Sequence, residues 1–121
     1  MRVFKAKVFA RFVAREGISD ASLLRAVDKA EQGLIDANLG GGVIKLRVAR
    51  QGQGESGAYR TLLAFRSGVR VVFLHGFAKS GTTNITKKEL DTLKRAAKVV
   101  LSMSDEDLQR LVVQGKFVEV K

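Results

Sequence analysis

The 121 residues predict an α+β domain in which a small, mostly antiparallel sheet packs against N-terminal helices and a C-terminal helix pair. Three observations lead there. Residues 7–35 and 86–115 repeat their apolar side chains at helical spacing. Residues 40–80, GGGVIKLRVARQGQGESGAYRTLLAFRSGVRVVFLHGFAKS, instead read as strands in succession. The links between those strands are short, which permits antiparallel pairing, whereas a parallel crossover needs about a dozen residues or more. At this length the expectation is one domain with one core over residues 1–121.

Taken in order, residues 2–5 form a short first strand. A helix follows over 7–16, with Val8, Phe9, Phe12 and Val13 on its apolar side, and Gly17 stops it. Ser19 caps a second helix, with Asp20 in its first turn, running to Ile35 with the stripe Leu23, Leu24, Val27, Ala30 and Leu34. A polar turn around Asp36 and Asn38 leads through Gly40, Gly41 and Gly42 into a strand over 43–49. There Ile44, Leu46 and Val48 point one way and Lys45 and Arg47 the other. A Gly-rich loop over 51–57 precedes strands over 59–65 and 69–77, which Ser67 and Gly68 join in a tight hairpin. Thr86 and Glu89 form a capping box for a helix whose apolar face is Leu90, Leu93, Ala97, Val100 and Leu101. Ser104, Asp105 and Glu106 start a last helix that ends at Gly115, and residues 117–120 have the propensity to extend a sheet edge.

Charge narrows the partners. The chain has 22 Lys and Arg against 12 Asp and Glu, a net charge of +10, which points to an acidic partner: nucleic acid, an anionic membrane or an acidic protein. With no cysteine, disulfides, thiolate metal sites and cysteine nucleophiles are excluded. The basic, apolar N-terminus superficially resembles a signal peptide, but Arg11 and Arg15 break its apolar run and no small-residue cleavage site follows. No run is long enough to span a bilayer, so the expected location is the cytoplasm, with no membrane partner.

Gly52, Gly54 and Gly57 spell G-x-G-x-x-G, but that fingerprint binds dinucleotides only where it opens a helix, and here it links two strands. KSGTT at Lys79 lacks the remainder of a phosphate loop. His75 is the only histidine, so two-histidine metal sites are excluded, and alternation places it with Phe73 and Phe77 as a packing residue. Glu55 is the only carboxylate in residues 40–80, which argues against a magnesium-dependent nuclease. A scatter of basic side chains is ordinarily a solvated surface. The group formed by Lys45, Arg47, Arg60 and Lys79 is harder to dismiss, because cations without carboxylates suit phosphate binding and metal-free RNA cleavage. Arg50, Arg66, Arg70 and Ser80 lie on or beside the same strands as candidate RNA contacts.

IKLR at Ile44 to Arg47, GAYR at Gly57 to Arg60 and GFAK at Gly76 to Lys79, followed by a helix, resemble the RelE/HigB family of bacterial toxins, and the longer KLRVARQGQGESGAYR is similar to its HigB-type branch. The resemblance covers roughly residues 1–100 and implies a RelE-like compact fold. It implies a toxin of a toxin–antitoxin pair that enters the ribosome and cleaves mRNA with the 2′-hydroxyl as nucleophile and no cofactor or metal. Under it, Lys45 and Arg47 hold the RNA backbone or help activate the 2′-hydroxyl, Arg60 stabilises the phosphorane-like transition state, and Lys79 contacts phosphate or assists proton transfer. Ser80 stands where the best-known members carry a basic residue, and polar residues near Thr86 stand where they carry a tyrosine. The implied partners are mRNA on the ribosome and a cognate antitoxin, with residues 102–121 as an extension expected to shape the antitoxin contact. Assembly is left open between a homodimer and a toxin–antitoxin hetero-oligomer. Two rival functions stay open: a ParE-type gyrase inhibitor, and a non-catalytic nucleic-acid-binding module on the same basic sheet.

Overall fold

The computed structural model describes the backbone of residues 1–50, 54–78 and 85–121, and the side chains of these except at 50 and 54–57. The element order is β1 (Arg2–Ala6), α1 (Lys7–Glu16), α2 (Asp20–Glu31), β2 (Ala37–Gly40), β3 (Val43–Arg50), β4 (Gly54–Arg66), β5 (Arg70–Ala78), α3 (Lys87–Ser102), α4 (Asp105–Val113) and β6 (Phe117–Glu119). The strands form one sheet in the order β2-β3-β4-β5-β1-β6. Among the described residues only the β1–β5 pair is parallel. The α+β class and the mostly antiparallel sheet are therefore as the sequence predicts.

Alternation along the strands builds two cores. One face presents Ile44, Leu46, Val48, Leu63, Val71 and Phe73 to Phe9, Phe12 and Val13 of α1 and to Leu23, Val27 and Ala30 of α2. The other presents Val43, Leu62, Ala64, Val72 and Leu74 to Ala97, Val100 and Leu101 of α3 and Leu108 of α4. Gly76 of β5 lies under α1, where a Cβ would meet Phe12 Cε2 at 2.6 Å and Phe9 Cε1 at 3.0 Å. Phe9 also stacks on Phe73 at 5.0 Å between ring centres.

The helix ends follow their local chemistry. Ser19 Oγ accepts from the Ser22 N–H at 3.1 Å. Thr86 and Glu89 close the capping box reciprocally, at 2.9 and 3.1 Å. Glu31, at the end of α2, accepts from Ser67 Oγ and the Gly68 N–H, which ties that helix to the β4–β5 hairpin. These hydrogen bonds hold the Glu31 and Glu89 carboxyls below their usual range.

Val8 is 64% exposed instead of packing with Phe9, Phe12 and Val13, and four further expectations require correction. Helix α2 stops at Glu31, not Ile35, because Gly33 turns left-handed (φ 84°), leaving Leu34 61% exposed rather than in the buried stripe. The polar turn at Asp36 and Asn38 is mostly strand: β2 pairs with β3 along the sheet edge. The loop expected over 51–57 is already β4 from Gly54, so Gly54 and Gly57 lie in a strand and open no helix. Finally, β5 does not alternate strictly. A bulge sets Phe73 opposite Leu63 but His75 opposite Leu62, with Leu74 as the extra residue.

Candidate active site

Strands β3, β4 and β5 set the geometry. Arg47 stands opposite Arg60, and Lys45 opposite Leu62. On the other side of β4, Phe77 stands opposite Arg60 and His75 opposite Leu62. Directly opposed residues share a face, so two rows form on the α3 side of the sheet: Lys45–Leu62–His75 and Arg47–Arg60–Phe77. They are about 7 Å apart along the strands and about 10 Å across them. Leu62 belongs to the core that α3 covers, and beyond it the surface turns basic.

Like charges opposed across a sheet repel. Here Asp36 offsets that repulsion: its Oδ2 lies 3.2 Å from Arg47 Nε and 3.7 Å from Arg60 Nη1. The Asp36 N–H donates to the Lys45 carbonyl at 2.9 Å, which fixes the start of β2 beside the cluster. Arg47 and Arg60 remain 47% and 24% exposed, with guanidinium N–H groups still available to an anion. Lys45 has no ion-pair partner among the described residues. Among the described residues the cation cluster thus has one carboxylate after all, supplied from outside residues 40–80. A single negative oxygen between two guanidiniums is the arrangement a phosphate oxygen would adopt.

His75 joins this face because of the bulge. Strict alternation puts it beside Phe73 in the α1 core; the structure puts it beside Phe77, at 5.8 Å between ring centres, and half-buried. Opposite Leu62, it lies on the face of the sheet that α3 packs against. The clue in the sequence was Gly76, since glycine inside a strand marks a bulge or a close approach. Asp36 offered less, because a short edge strand carries almost no periodic pattern.

The other candidates divide. Arg66 is exposed at the far end of β4, six residues or about 20 Å from Arg60. Arg70 is 5% exposed, and its guanidinium donates to the carbonyls of Val100 at 2.8 Å and Met103 at 2.7 Å and to Asp105 Oδ1 at 2.6 Å. It joins α3 to α4 and has no surface to offer RNA. Lys79, Ser80 and the side chain of Arg50 lie outside the described residues. Among the described residues no three His, Asp or Glu side chains gather as a metal site requires, and no helix is long and apolar enough to cross a membrane.

A search of curated proteins finds no match. The family model described as the RelE toxin of the RelE/RelB toxin–antitoxin system matches residues 1–120, essentially the whole chain. With that match, and with a fold that sets Lys45, Arg47 and Arg60 on one open sheet face, the chain belongs to the RelE family, the toxins of toxin–antitoxin systems.

Proposed function

We propose that this toxin is a metal-free, ribosome-dependent mRNA endonuclease that stops translation. The observation that carries the reading is the pair Arg47 and Arg60, opposed across β3 and β4 and converging on one carboxylate oxygen. With a scissile phosphate beside Asp36, the guanidinium N–H groups that Asp36 leaves free hold its non-bridging oxygens. The RNA 2′-oxygen attacks phosphorus and loses its proton, a phosphorane with added negative charge forms, and the 5′-oxygen leaves and takes up a proton. The products are a 2′,3′-cyclic phosphate and a 5′-hydroxyl. Fixed cations that meet charge as it develops are the largest contribution a metal-free site can make.

The proton needs a carrier, and His75 is the side chain on this face whose chemistry suits both directions of transfer. Phe77, next to Arg60, offers a ring on which a neighbouring base stacks. Lys45 contacts the backbone one row away, and Lys79 is a further candidate for phosphate contact. Family membership implies a cognate antitoxin, and masking this basic face would be enough to silence the toxin. The test is a purified translation system with a defined mRNA. Cuts within ribosome-bound message that end in cyclic phosphate support the reading; intact message with translation unimpaired removes it.

A further inference from the structure

A second basic site lies beside α3, away from the cluster. An open cavity of about 480 Å³ is lined by Arg66, Lys94, Arg95 and Lys98, with Gly41 and Gly42 as its floor. Among the described residues, four cations line it and no carboxylate does. Elsewhere five acids pair with neighbours: Asp20 with Lys5, Asp36 with Arg47 and Arg60, Asp105 with Arg70, Asp107 with Arg110 and Glu119 with Arg2. Arg66, Lys94 and Lys98 have no such partner among the described residues. Asp91, one turn earlier on α3, makes no ion pair with Lys94 or Arg95.

Packing holds the site in shape. The aliphatic stem of Lys94 crosses Gly41 so closely that a Cβ there would lie 3.1 Å from Lys94 Cγ, and one on Gly42 would meet Leu101 Cδ1 at 2.7 Å. Both glycines, and Gly40 before them, have left-handed backbones, so the turn both requires glycine and lets α3 approach it. Lys94 is half-buried by this contact, which reduces the freedom its ammonium would lose on binding an anion.

The cavity and the cluster lie on the same side of the sheet. Gly42 immediately precedes β3, Lys45 is three residues on, and Arg47 two beyond that, a path of about 17 Å. We propose that the cavity is a phosphate-binding groove for the substrate RNA strand, holding the backbone a few nucleotides from the phosphate at Arg47 and Arg60. This rests on reading the cluster as an RNA site, and it adds where the strand goes next. Charge complementarity and continuity along β3 favour a single RNA strand over an acidic protein segment.

The experiment measures binding of fluorescent single-stranded RNA, a trinucleotide and a 12-mer of mixed sequence, across a salt series. It compares the native chain with Arg66→Ala/Lys94→Ala/Lys98→Ala and with the single reversal Lys98→Glu. Circular dichroism and thermal unfolding report the fold, which these exposed or half-exposed side chains should leave intact. Three lost contacts should weaken 12-mer binding on the order of 100-fold at about 0.1 M salt and flatten the log–log salt slope by about 2, with little change for the trinucleotide. Lys98→Glu should weaken the 12-mer in the same direction. Unchanged 12-mer affinity and slope overturn the proposal. So does a variant that binds the 12-mer normally but loses either ribosomes, which would make the groove a ribosomal RNA contact, or an acidic peptide, which would make it a protein contact. If the native chain binds RNA through the groove but cuts no message, the groove stands and the endonuclease reading falls.

Discussion

Arg60 and Arg70 lie ten residues apart on neighbouring strands and do opposite work. Arg60 keeps part of its guanidinium exposed and shares a carboxylate with Arg47. Arg70 turns inward and satisfies two carbonyls at the end of α3 and the first residue of α4. Arg70→Met should therefore cost stability, on the order of 3 kcal/mol, because it strands buried carbonyls. Denaturant unfolding measures it, and a loss below about 1 kcal/mol would show that water replaces the guanidinium. Asp36→Asn should tighten RNA binding by removing a negative charge beside the phosphate site. It should also slow cleavage, because Arg47 and Arg60 lose the group that aligns them. If binding and cleavage instead fall together, Asp36 matters only to the fold. His75→Gln should slow cleavage while leaving RNA affinity near native. Native-like cleavage by this variant would return His75 to a packing role.

At the scale of elements, caps and contacts decide what holds. Gly76 lets α1 lie directly on β5, so Gly76→Ala forces a methyl into Phe12 and should destabilise by about 1–3 kcal/mol. Equal stability of the variant would mean that α1 shifts freely. Glu31, Glu89 and Glu119 stabilise the hairpin, the start of α3 and the β1–β6 edge respectively. The folded state holds all three carboxyls below their usual 4.5, through hydrogen bonds from Gly68, Thr86 and Arg2. Their contribution is therefore complete above pH 4.5 and lost as pH falls through the lowered values. Thermal unfolding should show a midpoint steady above that pH and falling below it, with a shallower fall in Glu31→Gln/Glu89→Gln. These helix boundaries were legible because caps are local: Ser19, Thr86 and Ser104 all cap where the sequence places them. Only Gly76, two residues on, hinted at the bulge at Leu74, because residues 69–77 are apolar on both faces and no alternation marks the slip. Strand β2 was not legible, because its four residues gain their place only from β3.

At the scale of the molecule, the net charge of +10 is unevenly used. Some cations are structural, such as Arg70 and Arg2. Others gather on the α3 side of the sheet, at the cluster and along the groove. The basic strand stretch was visible in the sequence, whereas its division into one buried, one distant and three convergent cations needed the register. The central claim is that Arg47 and Arg60 together stabilise the charge that develops on a scissile RNA phosphate. The direct measurement is single-turnover cleavage of ribosome-bound mRNA by the native chain and by Arg60→Ala, with thermal unfolding of both. The expected result is a rate loss of about 100-fold or more with an unchanged unfolding midpoint. Native-like cleavage by Arg60→Ala would contradict it.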